Sequence, residues 1–259
     1  MRLFYFMPEW ACLLLTLLFV QLSHEVGYRI GTRRRLKPGE NPDTAAGTIS
    51  GVAIGLLAFI LAFTFNGASN NHDLRKDLLI EEANVVRTVH QRSMQMPDPY
   101  RVQVRSLLDE YVDMRLKMRG IGMAELRPLM NRAKVIQTEL WAIAIEVQKK
   151  EPTTPMLGLF TESLNQLFDV SVKRVNAVSQ GRISPIIWTV LYLLTFITMA
   201  MVGYRIGLHG IRSTFMEVSL TVAFSLVLIV IIALDRPNGM MRLDQRPMTT
   251  VLNVLRAGK

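Results

Sequence analysis

Few residues in this 259-residue chain have the types and spacing that chemistry needs, and those favour contact and charge over catalysis. Four histidines, His24, His72, His90 and His209, lack any HExxH-like metal spacing. No Gly-rich phosphate loop, Gly-x-Ser-x-Gly elbow or nucleophile–base pair is visible. The single cysteine, Cys12, permits neither an intrachain disulfide nor a cysteine-rich metal site, and reads as a small packing residue. No cofactor, metal or enzyme activity is expected. Three groups remain. Arg29, Arg33, Arg34, Arg35, Arg205 and Arg212 form basic turns suited to anions or lipid headgroups. Gly47, Gly51 and Gly55, followed by Ala58 and Ala62, allow another helix to approach closely. Thr64 and Asn66 are polar groups at the end of an apolar run, suited to face a pore. Glu217 is the one acid expected near membrane depth in its segment, close enough to the helix start to reach interfacial water or Arg212.

The elements that must hold these residues are membrane helices. Half of the residues are hydrophobic although a fifth are charged. Four windows, Leu3–Leu22, Gly47–Phe65, Pro185–Val202 and Phe215–Leu234, can each cross about 30 Å of hydrocarbon, which takes roughly 20 helical residues. The first lacks a cleavage site and reads as a retained anchor. The hexapeptide VGYRIG occurs twice, at Val26–Gly31 and Val202–Gly207, each time at the end of an apolar run and before a second one. The expected architecture is an all-α membrane protein whose four transmembrane helices form two repeated hairpins, related by a two-fold axis along the membrane normal. Within the motif, Tyr28 and Tyr204 read as aromatic anchors, Arg29 and Arg205 as snorkelling cations, and the glycines as helix ends.

Between the hairpins lies a central amphipathic helical bundle. Leu74, Leu78, Val85 and Val89; Val104, Leu107, Leu108, Tyr111 and Met118; Leu126, Leu129, Ala133, Ile136, Leu140, Ile143 and Val147; and Leu157, Phe160, Leu164, Leu167, Ser171, Val175 and Val178 each recur at helical spacing. Breaks fall at Pro97-Asp98-Pro99, Gly120-Ile121-Gly122 and Glu151-Pro152. The expected divisions are 1–66, first hairpin; 67–184, helical domain; 185–235, second hairpin; and 236–259, polar tail. No proline separates the second span from the domain, so one helix is expected to run on to about Met94. The Glu81-Glu82 pair reads as a solvated or dimer-facing stripe.

The net charge of +9 concentrates near span ends, which fits a membrane protein and argues against nucleic-acid binding. Basic residues near the span ends are close in number on the two sides, but the short turns weigh more in orientation. This places the turns in the cytoplasm and the helical domain outside it. The partners expected are the lipid bilayer, further copies of the chain and small anions.

One stretch resembles a known family. Leu56-Leu57-Ala58-Phe59, Phe63-Thr64-Phe65-Asn66, Asp73-Leu74-Arg75-Lys76-Asp77-Leu78-Leu79, Glu82-Ala83-Asn84 and Pro97-Asp98-Pro99-Tyr100-Arg101 are similar to the bestrophin-like bacterial membrane proteins. Arg105-Ser106-Leu107-Leu108, Tyr111-Val112 and the layout of two spans, a helical domain and two spans continue the likeness. Bestrophins are pentameric anion channels built from helices. The resemblance therefore implies a homo-oligomeric, anion-conducting protein of the bacterial inner membrane, with the helical part cytosolic, opposite to the orientation read from charge. The other reading is a non-conducting scaffold or sensor whose helical domain binds a partner.

Overall fold

The computed structural model describes residues 7–34, 43–118, 123–150, 155–210, 214–236 and 241–257. These hold eight helices and no strand: α1 Glu9–Arg33, α2 Asp43–Ser93, α3 Tyr100–Lys117, α4 Met123–Lys150, α5 Pro155–Ser179, α6 Pro185–His209, α7 Thr214–Asp235 and α8 Arg246–Ala257. Four of them, α1, α2, α6 and α7, are long and apolar enough to cross a membrane.

The chain forms two compact units. The first contains α1, α6, α7 and the N-terminal part of α2, with a core of Val20, Leu57, Leu61, Trp188, Leu191, Met199, Leu228 and Ile231. α1 begins after Pro8, whose own backbone is extended and which has no amide donor to satisfy at a helix start. α6 is capped by Ser184, whose hydroxyl accepts from the Ile186 amide, with Pro185 in the first turn. It ends at Gly210, whose φ of 70° is the left-handed conformation glycine adopts without strain. The VGYRIG glycines therefore do not end helices. Both copies lie inside continuous helix, and the terminator of α6 is Gly210, three residues past the motif.

α2 is unbroken over 51 residues, about 77 Å at 1.5 Å per residue. Its Asn66-to-Asn71 segment stays helical because single unfavourable residues cost less than 1 kcal/mol each, too little to break a helix supported on both sides.

The second unit contains the C-terminal part of α2, α3, α4, α5 and α8. α3 packs on α4 and α8, and α4 packs on α5. Its core uses most of the residues expected from spacing: Val89, Val104, Leu108, Tyr111, Ile136, Leu140, Phe160, Leu164 and Leu167 are buried, whereas Leu74 and Val178, expected on the same faces, are exposed. The segment expected to be a polar tail carries a helix with an apolar face. Met248, Val251, Leu252 and Leu255 of α8 are buried in this core, and Arg256 pairs with Asp109 at 2.9 Å. Burial of four apolar side chains on one face outweighs the polarity of the rest of the segment.

Candidate functional site

The repeated motif forms the closest helix contact in the first unit. α1 and α6 run parallel with Thr16 beside Tyr192, Phe19 against Tyr192 and Phe196, and the two VGYRIG segments facing each other. A Cβ on Gly27 would stand 2.5 Å from the carbonyl carbon of Ala200, and closer still to its oxygen. A Cβ on Gly203 would meet His24 in the same way, at 2.9 Å from its carbonyl carbon. Gly31 faces Tyr204, and Gly207 faces Tyr28. The contacts are reciprocal: each glycine of one copy sits on the backbone of the helix that carries the other copy, at or just before the motif. Only residues without a side chain permit this approach.

This geometry divides the arginines. Arg29 is 73% exposed and pairs with Glu25 at 2.8 Å. Arg33 and Arg34 are exposed at the end of α1. Arg205 reaches α2: its Nη2 lies 3.1 Å from where a Cβ of Gly47 would be. Gly47 thus seats a guanidinium of the motif. Arg35 and Arg212 lie outside the described residues.

Beyond Gly47, the small-residue face of α2 is open. Among the described residues, nothing beyond the helix's own neighbouring backbone lies within 4 Å of a Cβ placed on Gly51 or Gly55, and Ala58 and Ala62 are exposed. Phe59 and Phe63 stack beside this face with ring centroids 4.6 Å apart, and both are exposed. Asn66 continues the open face. Thr64 does not share it. It is buried, and its hydroxyl donates to the Ile60 carbonyl at 2.7 Å, one turn back in the same helix. In the second unit, Asp73, Asp77 and Glu81 follow at four-residue intervals on exposed positions of α2, with no ion pair to any of them among the described residues.

Glu82 is the neighbour that departs from the solvated stripe expected of it. It is fully buried, where Leu78, Val86 and Val89 of the same helix also turn inward. Arg115 Nη2 pairs with its Oε1 at 2.8 Å, Arg174 pairs with Oε2, and the Tyr111 hydroxyl donates to Oε1. Arg115 also donates to Ser171 Oγ at 2.6 Å, and Gln137 Nε2 donates to the same oxygen at 3.1 Å. α2, α3, α4 and α5 therefore meet at one polar cluster. Burial, together with the Glu82 carboxylate, pushes the Tyr111 hydroxyl well above its ordinary range, so it stays a donor. A buried carboxylate is tolerable only with this much compensation.

Glu217 lies in the first turn of α7, as expected, and is 3% exposed; Arg212, one of its expected partners, is outside the described residues. One turn further along α7, Thr221 donates to Gln21 Oε1 of α1 at 2.9 Å. Among the described residues, no group of three or more His, Cys, Asp or Glu side chains is placed to hold a metal ion.

The comparisons agree with this architecture. A family model described as a Bestrophin-like domain matches residues 14–246. Several crystal structures share the fold. One variant of a bacterial bestrophin homologue from Klebsiella pneumoniae superposes with a TM-score of 0.62 at 18% identity, covering 94% of this chain and 96% of that one. A second variant of the same homologue gives a TM-score of 0.59 at 15% identity over 95% and 97%. A structure described as a membrane protein variant gives 0.58 at 16% identity over 95% and 96%. No curated protein matches.

Proposed function

Since the chain belongs to the Bestrophin-like family, we propose that it assembles as a homo-oligomer in the bacterial inner membrane and conducts small anions. The observation that carries the reading is the open face of α2. Gly51, Gly55, Ala58 and Ala62 form a smooth, exposed strip on a membrane helix, and among the described residues no other element approaches Gly51 or Gly55. In an oligomer this strip either packs against a second copy or, with Asn66, lines the path between copies. Of the two polar residues first considered for that path, Asn66 fits and Thr64 is turned away. Arg205, seated on Gly47 at the start of α2, supplies positive charge at one mouth.

Two finer features belong to the same proposal. The four spans form two repeated hairpins flanking a central helical bundle, and the reciprocal VGYRIG contacts support a two-fold axis parallel to α1 and α6. The basic turns face the cytoplasm and the helical domain faces away from it. Cysteine labelling at positions 40 and 150 tests the orientation. Position 150 reached only from the cytoplasm would reverse it.

Ion flux from liposomes holding purified oligomer tests the function. Chloride flux exceeding that of a bulky anion is the expected result, and reversal potentials across a salt gradient give the charge preference. Asp73, Asp77 and Glu81 make that measurement decisive, because an unpaired carboxylate column attracts cations where it borders a path. The same column, with the exposed Leu74 and Ile80, favours the second reading, a non-conducting scaffold or sensor that presents this face to a protein partner. Absence of flux in a preparation shown to be oligomeric selects it.

A further inference from the structure

We infer that the end of α1 is a binding site for an anionic phospholipid, with Arg29, Arg33 and Arg34 holding the headgroup and one column of apolar side chains holding the acyl chains. The arginines of the two turns differ in what they face. Arg205 lies against α2 at Gly47, whereas those of α1 continue a lipid-facing surface. Leu15, Leu18, Leu22 and Val26 are exposed and recur at three- and four-residue spacing, so they form one line along α1. Arg29 and Arg33 extend that line, eleven and fifteen residues after Leu18, which at 100° per residue returns both to the same face; Arg34, at the end of the helix, lies about 160° round from the line and adds its charge from the side. From Leu15 to Arg29 the column is about 21 Å long at 1.5 Å per residue, long enough for an acyl chain lying flat beneath its headgroup.

The charge on this face fits a phosphate diester. Glu25 is the one acid paired there, with Arg29. Among the described residues Arg33 and Arg34 have no hydrogen-bond or ion-pair partner, apart from the backbone amide of Arg34 that closes the helix on Gly31. Three guanidiniums against one carboxylate leave two positive charges at the depth where phosphates lie. Each guanidinium donates through a planar fork that matches two phosphate oxygens. A zwitterionic headgroup offers the same phosphate but brings its own ammonium, which these arginines repel. The occupant is therefore a lipid with net negative charge, phosphatidylglycerol-like. This assignment does not depend on whether the protein conducts ions.

Full-length protein in neutral detergent, titrated with phosphatidylglycerol and with phosphatidylcholine, tests it by thermal unfolding. Phosphatidylglycerol is expected to raise the transition, and sodium chloride to reduce the gain; phosphatidylcholine is expected to leave it near baseline. Arg29→Gln/Arg33→Gln/Arg34→Gln is expected to lose most of the phosphatidylglycerol gain while keeping its baseline transition and oligomeric state. Should the triple variant fold poorly, Arg33→Gln alone is read instead and should lose part of the gain. Equal gains from the two lipids overturn the inference, as does a variant that keeps the full gain. A gain reproduced by soluble glycerol phosphate means a free-anion site and also overturns it. A triple variant with a changed oligomeric state makes this face a contact between copies, with the same consequence.

Discussion

Replacing Gly27 by alanine tests the seam between α1 and α6 directly. The added Cβ would stand 2.5 Å from the Ala200 carbonyl carbon, against about 3.4 Å for ordinary contact, so the helices must part by at least 0.9 Å. The obstacle is backbone on a packed helix, which cannot rotate aside as a flexible side chain does. Overpacking of this kind costs about 1–3 kcal/mol. At roughly 2–4 °C per kcal/mol for a chain near this size, the transition should fall by about 2–12 °C. Gly203→Ala should do the same, because Gly203 sits on His24 as Gly27 sits on Ala200. The double variant is the sharper test. Once one alanine has parted the helices, the second meets little resistance, so the pair should cost clearly less than the sum of the singles. Thermal unfolding of the four proteins in detergent measures this. A Gly27→Ala variant within about 0.5 kcal/mol of the parent would refute the close contact. Strict additivity would refute its reciprocity.

Other outcomes follow from the same geometry. Gly51→Leu should leave the monomer fold intact, since among the described residues no other element lies within 4 Å of it, but should disrupt oligomer formation on size exclusion; an unchanged oligomer counts against the open face as an interface. Glu82→Ala should cost about 3–5 kcal/mol by leaving the Arg115 and Arg174 charges without their carboxylate, whereas the Glu110→Ala variant at an exposed pair should cost about 0–1 kcal/mol; comparable losses in chemical unfolding would contradict the burial of the cluster. The hydrogen bond from Arg132 holds the Glu110 carboxyl below its ordinary 4.5, so its stabilisation is full above that pH and lost as the pH falls further; Arg132→Ala should flatten this small acid limb, and an unchanged limb would separate it from the pair.

Most of the helical framework was legible from periodicity. The four spans, the continuous α2 and the inward positions of α3, α4 and α5 follow from apolar spacing, because burial of one face decides each of them. Three features carried a signal that competing principles masked. Gly27 and Gly31, like Gly203 and Gly207, have the same four-residue spacing as Gly47 and Gly51, yet glycines at the end of an apolar run equally suit a helix terminus. The close contact needs a partner helix 176 residues away, which spacing does not identify. Glu82 follows Leu78 and precedes Val86 and Val89 on one stripe, so its inward position was readable; its acceptability depended on Arg115 and Arg174, distant in sequence. In α8, Met248, Val251, Leu252 and Leu255 recur at helical spacing within a segment whose charges suggest a tail. The open face of α2 is different in kind. Its residue types were plain, but only the absence of any neighbour in the folded chain separates it from the buried glycines of the motif.

The α1–α6 seam also restricts how the membrane unit can move. With glycine set on carbonyl groups at both helices, sliding one helix by a single residue, about 1.5 Å, replaces each glycine at the contact by Val, Tyr, Ile, Thr or Leu. Those side chains cannot enter the gap, so the two helices travel together as a keel with a locked register. No comparable backbone seam holds α2. Relative displacement within this unit is therefore concentrated in α2, whose Gly51 and Gly55 offer no side chain to interlock and whose start is tethered to the keel through the seat of Arg205 on Gly47. A pivot there, at one end of the smooth strip, changes the tilt of that strip without breaking the keel.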